Sequence, residues 1–387
     1  MRSLLSSVGI SALLALTWSG LAERPAAAIE RVVVRQDGAE KSLEGRILVE
    51  AEDGGLLLEA ASGQLSIVQP EELVRRESNA VAFEPLGQEA VGAELLREFP
   101  NGFRIHTTAN YVICYNTSDA YAEWCGSLFE RLYRGYYGYW KNRGWELQKP
   151  EFPLVALVFD DKASYAAYAQ KELGDATQSI IGYYNVQTNR VTMYDLTGVD
   201  ELRKTQRGVS SAAHINQVLS QPAAERTVAT IVHEATHQLA YNSGLQTRLA
   251  GNPMWVSEGI AVYFETPDLD NARGWRSIGA MNRLHWNRFR ESLERRPADA
   301  LRDLLTKDAL FRDPKTSSDV YAGAWALNYY LLKVRSAQYV KLLRELAQLA
   351  PLAEVSPEER VAQFERAMGE KLEQTDEAFL RYMRRLK

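Results

Sequence analysis

Cysteine and histidine are scarce in this chain: two of the first and five of the second among 387 residues. Two cysteines exclude a disulfide-built scaffold and the paired cysteine spacings of a structural zinc module. Cys114 closes the strand-like stretch "NYVICY" and Cys125 lies in the helical pattern that follows. The pair reads either as a strand-to-helix staple or as two free buried thiols. A basic excess is missing as well. With 45 Lys and Arg against 50 Asp and Glu, the net charge is −5, so the chain lacks the positive face a nucleic-acid binder needs. No run reaches the roughly 20 consecutive apolar residues of a membrane-spanning helix. Internal repeats and long low-complexity tracts are also absent.

What is present suits a large folded chain. Hydrophobic residues make up 46% of it, ample for more than one core. The N-terminus, "MRSLLSSVGISALLALTWSGLAERPAAAIE", has Arg2, a short apolar run from Leu4 to Trp18, and small residues at Ala26–Ala28. Gly20-Leu21-Ala22 is a second cleavage option. This pattern predicts a secretory signal peptide over residues 1–28. The mature chain is then secreted or held in the periplasm or cell envelope, with no stable membrane span after cleavage.

Residues 29–75 alternate apolar and polar between turn signals at Asp37-Gly38 and Asp53-Gly54-Gly55, which predicts a small antiparallel module of four or five strands. Residues 76–102 read as a linker or a short helix. Between 103 and 270, strand and helix patterns mix. "FRIHTTANYVICY" gives two strands, "FPLVALVFD" a buried strand, and "IIGYYNVQTNRVTMYD" a hairpin. Residues 197–221 are polar and irregular, and 271–387 reads as helices. The fold class expected is α+β: a mixed sheet with helices, a helical C-terminal part and a small N-terminal β-module.

The chemistry concentrates in "TIVHEATHQLAYN", residues 230–242. Ser220 and Pro222 suit the start of a helix here and Gly244 its end. On that helix His233 and His237 share a face and can present two imidazoles to one metal ion. Val228, Ile231, Val232, Ala235 and Leu239 form the apolar stripe that buries the other side. Glu234 stands beside the first histidine, placed as a general base acting on water. Two histidines at this spacing also arise by chance, so a third ligand matters. Glu258, in "WVSEGIAVYFE", supplies it. Two nitrogens and one carboxylate with a fourth position open describe a catalytic Zn²⁺ site, one ion per chain, rather than a structural one. His106, His214 and His285 lie in unrelated contexts and read as ordinary surface or core histidines.

His233-Glu234-x-x-His237, followed by Trp255-x-x-Glu258-Gly259-x-Ala261-x-Tyr263, resembles the gluzincin metallopeptidases, nearest to a peptidase-MA-like group of exported bacterial proteins. The resemblance spans roughly residues 103–385. It implies a thermolysin-like catalytic domain over 103–270, completed by the helical part, with Glu258 as third zinc ligand and Glu234 as base. It further implies an oxyanion donor, for which Tyr321 in "DVYAGAWALNYYLL" is the match; core packing is the alternative use of that ring. It implies an edge strand that pairs with an extended peptide or protein substrate, here Gly182, Tyr183, Tyr184 and Asn185. That stretch has no acid to hold a substrate's α-amine, which favours an endopeptidase over an aminopeptidase, although Asp195 is close by. Some relatives carry a carboxylate four residues after the third ligand. Val262 stands there, and Glu265 is either its replacement as the partner of a zinc histidine or a surface ion pair. The expected function is peptide-bond hydrolysis. The alternative is a binding or cell-envelope scaffold that keeps this fold and turns over little.

Overall fold

Asp37 and Gly38 both have left-handed backbone, φ 51° and 76°, the tight two-residue turn that matches strand twist. They join β1 (Ala28–Gln36) to β2 (Ala39–Glu50) in a computed structural model that describes residues 28–99, 102–174, 177, 180–198, 212–266 and 277–386. The expected signal peptide lies outside the described residues apart from Ala28, as do residues 199–211 and Pro267. With β3 (Leu56–Glu59), β4 (Leu65–Val68) and β5 (Leu73–Ala82), the first two strands form an antiparallel sheet in the order β4-β3-β2-β1-β5. Val32, Val34, Leu56, Leu58 and Val68 fill its small core.

The fifth strand runs past the boundary at residue 75 to Ala82, and α1 occupies Gln88–Glu98. The segment read as a linker or a short helix therefore holds the end of a strand and a short helix. Most of β5 is exposed at the sheet edge, so its residues carry little of the apolar alternation that marks a strand.

The second sheet is mixed: β6 (Arg104–Thr107), β7 (Tyr111–Tyr115), β8 (Leu154–Phe159), β9 (Gly182–Asn185) and β10 (Arg190–Tyr194), in the order β6-β7-β8-β10-β9. β7, β8 and β10 are parallel; β6 and β9 are antiparallel edges. Glu130 pins the β6–β7 turn, accepting from Thr108 Oγ1 (2.7 Å), Asn110 N (2.7 Å) and Asn110 Nδ2 (2.8 Å). Both faces are covered, which explains the nearly continuous apolar strands. α1 and α3 (Lys162–Leu173) contribute to the core on one face; α2 (Asp119–Lys141) and the histidine helix contribute to the core on the other.

The pleat settles the cysteine question. Tyr111, Ile113 and Tyr115 point to the α2 side, while Val112 and Cys114 point to the α1–α3 side. Cys125 sits in the α2-side core, so the sheet separates the thiols, and both are free and buried. The staple does not form.

A helix, α4 (Ala212–Leu219), lies within the segment expected to be irregular. The candidate metal helices are α5 (Pro222–Asn242) and α6 (Met254–Phe264). The C-terminal part comprises α7 (Arg283–Ser292), α8 (Ala300–Thr306), α9 (Ser317–Val334), α10 (Ser336–Leu346), α11 (Pro357–Met368) and α12 (Leu372–Arg385). Among the described residues no helix is long and apolar enough to cross a membrane.

α6 packs tightly on α9. A Cβ on Gly259 would stand 1.9 Å from Asn328 Nδ2 and 2.8 Å from Ala324 O, so only glycine permits this approach. Asn328 is fully buried and locks the crossing. Its Nδ2 donates to Trp255 O and Ala324 O, each at 2.9 Å, and its Oδ1 accepts from Tyr339.

Candidate metal centre

α5 begins with Gln221 as its cap and Pro222 at its first position, and ends at Ser243 ahead of Gly244, φ 73°. Ser220, expected as the cap, turns back instead: its Oγ donates to Asn216 O at 2.7 Å. The apolar stripe is buried as its spacing predicts, with Val228, Ile231, Val232, Ala235 and Leu239 at 0–1% exposure. Gln238, also fully buried, ties the helix to the sheet through Nε2, which donates to Val155 O and Asn189 O at 2.9 Å each.

One turn apart, the two imidazoles converge. His233 Nε2 lies 3.1 Å from His237 Nε2, and Glu258 Oε2 lies 3.2 and 3.5 Å from them respectively. A tetrahedral zinc site with bonds near 2.0–2.1 Å has edges of about 3.3 Å, so this triangle is the right size. The donor chemistry fits too. His233 Nδ1 stands 2.9 Å from Glu265 Oε2; with the ring proton there, Nε2 presents a lone pair. It then faces a carboxylate oxygen and another imidazole nitrogen. A cation fits between such electron pairs; without one, a proton on His233 Nε2 satisfies Glu258 instead. The three side chains retain 11–13% exposure.

Charge in the cluster shifts its members. Burial opposes a charged His233, but hydrogen bonding to Glu258 and Glu265 raises its pKa well above the usual value. Burial also opposes ionisation of Glu258 and Glu265, and the histidines overcome it, holding both carboxyls below the ordinary range.

Glu265 caps the C-terminal end of α6 and is a hub rather than a surface ion-pair residue. Its Oε2 meets His233, its Oε1 accepts from Asn282 Nδ2 at 3.1 Å, and His285 Nε2 lies 3.6 Å from the same oxygen. His285 thus adjoins the cluster, contrary to the unrelated context read for it in the sequence. His106 behaves as expected: it packs against Gly126 of α2. The side chain of His214 lies outside the described residues.

Glu234 meets the edge strand. Tyr184 N donates to Glu234 Oε2 at 2.8 Å, and no hydrogen bond engages Oε1 among the described residues. Burial pushes the Glu234 carboxyl up, while His233, His237 and the Tyr184 N–H pull the other way. Gly182, Tyr183, Tyr184 and Asn185 form β9, as expected, and its partner on one side is β10. Asp195 does not reach this strand as a free acid. It is buried, its Oδ1 accepting from Thr197 N (2.9 Å) and its Oδ2 from Thr117 Oγ1. A second carboxylate besides Glu234 reaches β9, from α3: Asn185 Nδ2 donates to Glu172 Oε2 at 2.7 Å.

Tyr321 lies near the start of α9, two turns before Asn328 and on the same face. Its ring packs on Phe311 at 5.3 Å between centroids. Burial first, then the nearby carboxylates of Glu258 and Glu234, raise its pKa and keep the phenol protonated. The ring therefore both packs and stands beside the cluster.

A family of proteins of unknown function, DUF1570, matches residues 227–353. The matched region contains His233, Glu234, His237, Glu258, Glu265 and Tyr321, but neither β9 nor the N-terminal sheet. No curated protein matches the chain significantly.

Proposed function

We propose that this protein is an exported zinc metallopeptidase of the gluzincin type, cleaving a peptide or protein substrate, with endopeptidase action favoured. The observation that carries the reading is the 3.1–3.5 Å triangle of His233 Nε2, His237 Nε2 and Glu258 Oε2, backed by Glu265 on one histidine and flanked by Glu234 and Tyr321. These three side chains would hold the ion. Zinc, when bound, supplies a Lewis acid that polarises a carbonyl and makes water acidic near neutral pH.

The chain's own groups divide the remaining work. Glu265 fixes the His233 ring and tautomer. The Tyr184 N–H restrains one oxygen of Glu234, and the other oxygen accepts the proton of the attacking water, then returns it to the leaving amine nitrogen. The Tyr321 hydroxyl, kept protonated, donates to the substrate's carbonyl oxygen as negative charge builds there. The test is metal analysis with peptide-library digestion of the wild type and Glu234→Gln. Zinc bound by both, with cleavage only by the wild type, is the expected result; cleavage by neither favours the scaffold.

A further inference from the structure

The β9–β10 hairpin is hydrogen-bonded to the sheet only along β10, so its outer strand depends on other contacts for its position. Behind it lies a buried ion pair that the chemistry above does not use. Arg248, in the loop between α5 and α6, is 9% exposed, and Glu59 of β3 is 4% exposed. Arg248 Nη2 donates to Glu59 Oε1 at 2.5 Å. Its Nη1 donates to Gly63 O at 2.7 Å and makes a longer contact, 3.5 Å, to Val186 O in the hairpin loop. A main-chain bond runs alongside, from Leu65 N to Gln187 O at 2.8 Å. The loop is itself stiffened by Asn185 Oδ1, which accepts from Gln187 N and Thr188 N. Tyr184 then stacks on Tyr241, with ring centroids 5.8 Å apart and 16° between planes, and its hydroxyl donates to Asn189 Oδ1 at 2.9 Å.

Burying such a pair costs desolvation that apolar packing of the same volume would avoid. What the pair provides is direction: a planar fork reaches a carboxylate and a carbonyl of the β3–β4 hairpin and a carbonyl of the β9–β10 loop, which a lysine cannot do at once. We propose that Arg248 and Glu59 form a clamp holding the β9–β10 hairpin where the Tyr184 N–H restrains Glu234. Arg248 is then a positioning residue, and the N-terminal sheet, residues 28–82, is a working part of the catalytic unit. The catalytic consequence rests on the peptidase reading; the clamp itself does not.

The test is hydrogen–deuterium exchange with mass spectrometry on full-length Arg248→Met and Arg248→Lys. Removing Arg248 does not orphan Glu59, because Arg46 Nε and Nη2 still donate to Glu59 Oε2. In Arg248→Met, amides of residues 182–189 exchange at least about tenfold faster, those of α2 and α12 stay at wild-type rates, and zinc content is unchanged. On a peptide cleaved by the wild type, kcat falls about tenfold with KM within about threefold, since a base displaced by a fraction of an ångström loses rate more than binding. Arg248→Lys recovers part of both effects, and carries the test if Arg248→Met does not fold. Wild-type protection of the hairpin, or protection lost evenly across the chain, overturns the clamp. A loosened hairpin with unchanged kcat overturns the positioning role. A loosened hairpin in a protein whose wild type cleaves nothing leaves the clamp standing and counts against the peptidase reading.

Discussion

His233 and Glu265 are 32 residues apart in sequence and 2.9 Å apart in space, ring Nδ1 to carboxylate Oε2. The contact joins one candidate ligand on α5 to the end of the helix carrying another. Partners of this kind are typically worth about 10–100-fold in metal affinity. Glu265→Ala should therefore weaken zinc binding by about that factor without abolishing it, read by competition with a chelating dye. Unchanged affinity would reduce Glu265 to a neighbour of His285.

Tyr321→Phe keeps the ring on Phe311 and removes only the hydroxyl. If the hydroxyl stabilises the oxyanion, kcat should fall about a hundredfold while KM changes little, because that contact strengthens in the transition state. Steady-state kinetics on a cleaved peptide decides it. An unchanged kcat would leave Tyr321 as a packing residue and the metal centre intact.

The two cysteines should behave as inert thiols. Burial pushes Cys114 up to about 12 and raises Cys125 as well, so neither holds appreciable thiolate at neutral pH. A thiol reagent should find none in the folded protein and two after denaturation, and a reductant should not shift the melting temperature. Detection of a bridge would contradict the separation of the thiols by the sheet.

Gly259→Ala forces a Cβ against Asn328 at the α6–α9 crossing, and overpacking of this kind costs about 1–3 kcal/mol. Gly323→Ala, one helix away, meets nothing nearer than Leu304 Cδ2 at 3.8 Å. The helix gains about 0.5–1 kcal/mol from that change. Denaturant melts of the two variants should therefore move in opposite directions. A shared direction would mean that the helix crossing is looser than the Gly259 contact implies.

Much of this site was legible because it is local. The i, i+4 histidines, the apolar stripe of α5 and the two β-rich runs of the β9–β10 hairpin are all written within one helix or one turn. Glu258 could be found because its helix follows closely. The rest depends on segments that sequence does not place together. Asn328 is a polar residue inside an apolar helical run, a visible signal, but its partners lie in α6 and α10, and those of Gln238 in β8 and the β9–β10 turn. Arg248 reads as an ordinary loop arginine until Glu59, 189 residues away, is beside it. The extension of β5 past residue 75 and α4 were missed for other reasons. One is an exposed edge without apolar alternation, and the other is a short amphipathic run at the end of a polar stretch. Which sheet face Cys114 takes required the register of β7, not its strand propensity.

The central claim is that Glu234 moves protons at a zinc site. Glu234→Gln preserves size and leaves the candidate ligands untouched, so the most direct measurement is zinc stoichiometry and peptide hydrolysis on that variant beside the wild type. The account predicts about one zinc per chain in both, with hydrolysis lowered by about 10²–10⁴-fold in the variant. Full hydrolysis by a zinc-loaded Glu234→Gln protein would contradict it.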